Sequence, residues 1–146
     1  MKLLILVLLM TMSVVLAETD QVLYPKNSDE ILDHLEGNNY NIYILFFAAA
    51  SPYEEVATRN NRDIAEGLQR IVTDNPEVIF ATINHADPNF QKLLQVTGVN
   101  RAPSVFIMNH GNGVWIYEGT SSLILDRLSD FMPKFKEAAS HQTSPF

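Results

Sequence analysis

The chain has 146 residues, which is enough for one domain, and with 47% hydrophobic and 10% aromatic residues it can bury an ordinary core. It carries 10 Lys and Arg against 17 Asp and Glu, a net charge of −7. This acidic field would repel a phosphate backbone and no basic run overcomes it, so we expect no nucleic-acid partner. The sequence contains no cysteine. Disulfides, thiol nucleophiles, dithiol redox chemistry and cysteine-based metal or iron–sulfur sites are therefore excluded.

Residues 1–17 form a hydrophobic N-terminal segment. Lys2 precedes an apolar stretch that ends at Ala17, which is the pattern of a secretory signal peptide cleaved after Ala17. The stretch is shorter than the ~20 residues that a transmembrane helix usually needs, and a retained short membrane anchor is the alternative. We therefore expect a signal peptide or anchor (1–17), a folded domain (18–139) and a polar tail (140–146).

Either form of this segment directs the domain across a membrane. The simplest destination is the secretory pathway, either in the lumen of the endoplasmic reticulum or as a membrane-anchored protein. The sequence has no N-x-[ST] glycosylation acceptor and no C-terminal retention tetrapeptide. The alternative is therefore a mitochondrial inner-membrane protein with its domain in the intermembrane space. Membrane contact is expected only through residues 1–17, if they are retained.

The first half of the domain predicts two strands and two helices. QVLY favours a short strand, and PKNSDEILDHLEG a helix with a polar cap and with Gly37 as its stop. NIYILFF is rich in β-branched and aromatic residues, which is typical of a strand buried on both faces. From Pro52 to about Val72, apolar residues recur at helical spacing.

The second half predicts three strands and two helices. EVIFATI favours a buried strand, and DPNFQKLLQVTG a short helix that Asp87 caps, Pro88 begins and Gly98 ends. SVFIMN, the turn HGNG and VWIYEG predict a hairpin. SSLILDRLSDFMPKFKEAA predicts an amphipathic helix that Pro133 ends or kinks. The resulting order is β-α-β-α-β-α-β-β-α.

This order implies one mixed sheet with helices on both faces. The main strands are expected at residues 42–47, 77–83, 104–109 and 114–117. We expect the first of them inside the sheet, because its apolar run leaves no polar face. The two long helices, 53–72 and 122–135, should lie on opposite or flanking faces.

The order and the residues at its joints resemble the thioredoxin-like superfamily over roughly residues 20–137. LFFAAASPYE stands where that family has an aromatic-alanine pair and a Cys-x-x-Cys turn, with Ser51 at the first cysteine position. VNRAPSVFI resembles the segment that ends in the family's cis-proline, here Pro103, and HGNGVWIYEG the hairpin closed by a glycine, here Gly119. The resemblance implies a single thioredoxin-like α/β domain with a mixed central sheet, helices on both faces and a cis bond between Ala102 and Pro103.

The departures from this family concern its redox chemistry. Leu45 stands where active thioredoxins carry a buried acid, and Ala81 where they carry the lysine paired with that acid. Ser51 and Glu54 occupy the two cysteine positions, and Ala50 replaces the tryptophan before them. Dithiol chemistry needs a thiolate, a resolving thiol and a proton acceptor. We therefore expect no enzymatic activity and no cofactor, and we name no catalytic residue.

Ser51 keeps one enzymatic alternative open. At the start of a helix its hydroxyl could polarise a bound thiol, as in the serine-using glutathione transferases, which share a thioredoxin-like half. The chain would then be a Ser-based enzyme acting on glutathione or another anion. Those enzymes use a second helical domain for which this chain has no room, and N-capping of the helix explains the serine without a reaction.

A metal site is the other chemical alternative. His85, Asp87 and Glu54 could supply imidazole and carboxylate ligands. No clustered ligand spacing supports such a site, and Asp87 is explained as the cap of the helix that Pro88 begins. We therefore expect no physiological metal.

We interpret the chain as a non-catalytic protein-binding or scaffolding domain, an accessory subunit of a membrane-associated complex. In the family, the residue before the cis-proline offers its backbone N–H and C=O to an extended peptide, a contact that needs no sulfur. Tyr53 and Arg101 are of the types enriched at interface hot spots. The predicted protein-binding groove comprises Ala50, Ser51, Pro52, Tyr53, Arg101, Ala102 and Pro103.

Overall fold

The computed structural model describes residues 21–36, 41–49, 55–117 and 120–143. The strands and helices follow the order that the sequence predicts, and a short 3-10 turn is added before the third helix. In chain order, the elements are β1 (Val22–Leu23), α1 (Ser28–Glu36), β2 (Ile42–Ala48), α2 (Glu55–Asp74), β3 (Val78–Asn84), the 3-10 turn (Pro88–Phe90), α3 (Gln91–Thr97), β4 (Ser104–Asn109), β5 (Asn112–Ile116) and α4 (Ser121–Thr143).

The five strands form one mixed sheet in the order β1-β3-β2-β4-β5. β1, β3 and β2 run parallel, while β4 is antiparallel to both β2 and β5. β2 lies in the centre, and all of its residues except Ala48 are buried. The prediction of a strand buried on both faces is therefore confirmed, because a central strand covered by helices has no solvated side.

Side chains of β2 alternate between two hydrophobic cores, one on each face of the sheet. The core against α2 and α4 contains Ile42, Ile44 and Phe46. The core against α1 and α3 contains Tyr43, Leu45 and Phe47. The two long helices thus lie side by side on the same face of the sheet, and the two short helices cover the other face.

A glycine lets the two long helices approach closely. A Cβ built on Gly67 of α2 would lie 2.5 Å from Cδ1 of Leu125 in α4. Any larger residue at position 67 would require the Leu125 side chain to move. The absence of a side chain at position 67 leaves room for Leu125 between the two helices.

The sequence predicts that Pro133 ends or kinks the last helix, and the helix does not end there. It continues to Thr143, so residues 140–143 of the expected polar tail are helical. A proline inside a helix costs about 3 kcal/mol or more. Met132 and Phe135, on either side of the proline, are both buried in the core, and each buried side chain of this size contributes about 1.5–3 kcal/mol. Their burial offsets the cost of the proline.

The predicted ends of the short helix are confirmed. Asp87 Oδ1 accepts the backbone N–H of Asn89 at 2.9 Å and so caps the 3-10 turn. Gly98 follows α3 with a left-handed φ of +76°, a conformation that glycine adopts without steric cost. The predicted stop at Gly37 and the predicted closing glycine Gly119 lie outside the described residues.

The β4–β5 hairpin closes through a two-residue turn. His110 and Gly111 both have positive φ values, 48° and 88°, as a type I′ turn requires. Asn109 pairs with Asn112 on either side of the turn. This turn fixes the register of the hairpin and therefore the positions of the aromatic residues at its far end.

The Gln21 side chain connects the residue before β1 to the end of α2 and the start of β3. Its Nε2 donates to the carbonyl oxygens of Val72 and Asn75 at 2.9 Å and of Val78 at 3.2 Å. These groups belong to the end of α2 and the start of β3. Since β1 runs parallel to β3, residue 21 lies at the amino end of the parallel strands.

Within the described ranges, none of the helices is long and apolar enough to cross a membrane. The predicted signal peptide or anchor, residues 1–17, lies outside those ranges.

Candidate functional site

The ends of β2 and β3 and the start of β4 lie together at one end of the sheet. The register places Ala48 beside Asn84, at the carboxyl ends of β2 and β3. It also places Phe47 beside Ser104, the first residue of β4. Ala49 and the residues that follow β3 therefore lie at the same end of the sheet as the loop 101–103, which leads into β4. This is the end where the sequence predicts the groove.

The described part of the predicted groove is the loop 101–103. Arg101 is exposed, whereas Ala102 and Pro103 are half-buried, and the Ala102–Pro103 bond is cis. The Arg101 carbonyl oxygen accepts the hydroxyl of Ser104 at 2.8 Å, and Ser104 is fully buried. The loop is thus tied to the first residue of β4. The other predicted groove residues lie outside the described residues: Ala50, Ser51, Pro52 and Tyr53.

Asn61 of α2 holds the end of β2, a role that the sequence analysis did not assign. Its Oδ1 accepts the backbone N–H of Ala49 at 3.0 Å, and its Nδ2 donates to the Ala49 carbonyl oxygen at 2.8 Å. One side chain thus satisfies both backbone groups of Ala49, the residue that directly follows β2. The sequence did contain a signal for this role. Asn61 comes three residues before the buried Ile64, and residues at this spacing lie on the same side of a helix, here the inner side.

The positions where the sequence analysis places the family's acid and lysine are apolar and buried. Leu45 and Ala81 are direct neighbours on β2 and β3, and both are fully buried. Phe106 of β4 lies opposite Leu45 on its other side. These three side chains offer no proton acceptor beneath the groove.

His85 and Asp87 follow the carboxyl end of β3, as predicted, but serve different purposes. The backbone N–H of His85 donates to the Ala48 carbonyl oxygen at 3.1 Å, whereas the Asp87 carboxylate caps the next turn. Among the described residues, no group of three or more potential ligands is placed to hold a metal ion. The third candidate ligand, Glu54, lies outside them.

Three side chains at the same end of the sheet form a stacked row. The Arg101 guanidinium carbon lies 5.3 Å from the centroid of the Tyr117 ring. The Tyr117 ring stacks on that of Trp115, with centroids 5.9 Å apart. Together with Asn100 these residues line a surface pocket of about 350 Å³, which we call the aromatic pocket. Tyr117 is 40% exposed, which identifies it as an accessible aromatic residue of the hairpin.

Comparison with known proteins identifies the fold. No protein-family model matches the sequence, and no curated protein matches it. Solved structures of thioredoxins match most of it. The short form of thioredoxin f from spinach chloroplast superposes with a TM-score of 0.62 at 13% identity, covering 80% of this chain and 95% of its own. Thioredoxin O2 from Arabidopsis thaliana in the oxidized state superposes with a TM-score of 0.61 at 14% identity, covering 79% of this chain and 94% of its own. Fasciola hepatica thioredoxin superposes with a TM-score of 0.57 at 16% identity, covering 78% of this chain and 97% of its own.

The chain therefore has a thioredoxin-like fold, in a version without cysteine. Identities of this size establish the fold alone.

Proposed function

We propose that this chain is a non-catalytic thioredoxin-like domain that binds an extended segment of another protein at the end of the sheet around loop 101–103. The observation that carries the proposal is a thioredoxin-like fold in a chain with no cysteine at all. The buried neighbours Leu45 and Ala81 support it, because they offer no acid or base to thiol chemistry. The surface can still hold a peptide, since backbone hydrogen bonding needs no sulfur.

Exposed apolar and aromatic side chains at this end of the sheet support a protein partner. Val56 at the start of α2 is 65% exposed, Leu123 at the start of α4 is 47% exposed, and Tyr117 lies just after β5. Both long helices begin at the end of the sheet where loop 101–103 lies. Arginine and tyrosine are among the residues most enriched at interface hot spots.

We further propose that the domain is an accessory subunit of a membrane-associated complex. The position of Gln21 supports this arrangement, because it lies at the opposite end of the sheet from loop 101–103. An N-terminal tether would therefore hold the domain with its groove directed away from the point of attachment. The compartment we propose is the secretory pathway, with the mitochondrial intermembrane space as the alternative.

The purified chain should be silent in thiol–disulfide assays. Insulin reduction and disulfide isomerisation both need a thiolate, so their rates should equal the buffer background. A thioredoxin with both cysteines provides the positive control. Turnover above background by the purified chain would contradict the non-catalytic assignment.

Substituting Tyr53→Ala together with Arg101→Glu should release the native partner. Hot-spot residues typically contribute about 2 kcal/mol or more each, so recovery of the partner in co-purification should fall by at least about tenfold. Arg70→Glu is the matched control, because it makes the same charge change at an exposed position of α2. Circular dichroism should be unchanged for both variants. Recovery of partners at the wild-type level would place the binding surface elsewhere.

A further inference from the structure

The strand β5 is an edge strand of the sheet formed by the described residues. Among the strands of the described residues it pairs with β4 alone. The two-residue turn makes Asn109 and Asn112 a hydrogen-bonded pair, and such pairs alternate along an antiparallel ladder. Val114 therefore bonds inward to β4. The backbone N–H and C=O groups of Gly113 and Trp115 point outward.

The sequence of β5 does not protect this edge. Natural proteins commonly discourage edge pairing with charged side chains or proline on the strand. The strand NGVWI contains neither. An edge of this kind can accept an extended segment as an additional strand.

Arg101 supplies a positive charge beside this edge. The Arg101 guanidinium lies over the Tyr117 ring, and this contact takes up none of its N–H groups in a hydrogen bond to an acceptor atom. Among the described residues, no salt bridge includes Arg101. Its guanidinium N–H groups remain for a carboxylate, which arginine binds in a bidentate manner. Because the chain has a net charge of −7, an acidic ligand would be repelled over much of the surface and attracted at this cation.

Trp115 connects the open edge with the cation. Trp115 is the cross-strand neighbour of Phe106 and packs against the core beneath α1 and α3. Directly opposed residues of neighbouring strands project from the same face of a sheet. A residue opposite Trp115 in an added strand would therefore project on the side of the aromatic pocket that contains Arg101.

We propose that β5 accepts an extended segment of a partner protein as an additional strand, and that an acidic side chain of this segment binds Arg101 at the aromatic pocket. The inference rests on the proposed protein-binding function. It adds the receiving edge and the chemical class of the partner segment.

The test begins with a random linear-peptide library displayed on phage and selected on the purified full chain. The tightest peptides should carry an Asp or Glu. Each is then synthesised with its acidic residue and with the matching amide, Asn or Gln. Trp115 is the only tryptophan, so its fluorescence reports binding at this pocket. We expect the amide peptide to bind at least about tenfold more weakly, because a charge-assisted hydrogen bond is lost.

Two variants separate the role of Arg101 from general charge effects. Arg101→Gln should remove the difference between the acidic and the amide peptide, as a double-mutant cycle requires for a direct interaction. Arg70→Gln also removes one positive charge, but on the other face of the sheet. In this variant the difference in affinity between the acidic and the amide peptide should remain. An unchanged difference in Arg101→Gln would overturn the proposed contact.

Amide hydrogen exchange locates the bound peptide. The amides of Gly113 and Trp115 should exchange quickly in the free chain and slowly in the complex, whereas the Val114 amide should be protected in both. Protection near Ala102 without change at Gly113 and Trp115 would refute the edge and leave the proposed function standing. Failure to select any peptide would also count against the inference. The same holds if the chain forms a dimer in which the Gly113 and Trp115 amides are protected without any peptide. The co-purification result for Tyr53→Ala with Arg101→Glu tests the proposed function independently.

Discussion

Replacing Leu45 with aspartate is expected to destabilise the domain by at least about 3 kcal/mol. Leu45 is fully buried, with Ala81 on one side and Phe106 on the other. A carboxylate at this position would lose its hydration without gaining a partner. The substitution would also remove apolar contacts from the core beneath α1 and α3. Urea unfolding at neutral pH measures the change in free energy.

The loss should depend on pH in a defined direction. Burial favours the neutral acid, so the introduced carboxyl would have a pKa in the folded state above its unfolded value of about 3.9. The electrostatic part of the penalty is therefore absent below pH ~4 and grows as the pH rises toward the folded-state pKa. Leu45→Met has a similar volume, and should cost less than about 1.5 kcal/mol at every pH. A Leu45→Asp variant as stable as the native chain at neutral pH would contradict the buried position of β2.

Local sequence was sufficient where one short segment determines its own structure. The apolar run of β2 predicted burial on both faces, because no polar face was available in its seven residues. Asp87 and Gly98 predicted the ends of the short helix through groups within a few residues of one another. The order of the elements followed from such local patterns, and the order implied the sheet.

Local sequence was insufficient where distant side chains decide the outcome. Pro133 was predicted to end or kink α4, and the helix does not end there, because its neighbours Met132 and Phe135 are buried in the core. Between α2 and α4, Leu125 occupies the space that a side chain at position 67 would take. Neither partner of that contact can be recognised from the helical period of the other.

The candidate site combines both situations. Arg101 was predicted from its place before the cis-proline, whereas its contact with Tyr117 depends on the register of the β4–β5 hairpin. The sequence could identify the aromatic residues of the hairpin but not which of them is accessible. Accessibility follows from the packing of Trp115 against the core and of Tyr117 beyond the end of β5.

Replacing Asn61 with leucine should release the end of β2. The substitution removes the acceptor for the Ala49 N–H and the donor for its carbonyl oxygen, which now lie 3.0 and 2.8 Å from the Asn61 amide. A fully buried backbone group left without a partner costs about 1–3 kcal/mol, and Ala49 is half-buried. We expect the Ala49 amide to exchange about thirtyfold faster, which corresponds to about 2 kcal/mol of local opening free energy. Native-state hydrogen exchange measures this rate.

The same variant links the stability of this strand end to binding, because Ala49 leads directly into residues 50–53 of the proposed groove. Asn60→Leu is the matched control, since it makes the same replacement one position earlier in α2 and leaves both hydrogen bonds to Ala49 in place. Recovery of the native partner should fall in Asn61→Leu and not in Asn60→Leu. An unchanged exchange rate at Ala49 would show that other contacts hold the strand end. Faster exchange with full partner recovery would instead show that the partner binds without the ordered end of β2, and the groove would then consist of loop 101–103 and its neighbours on β5.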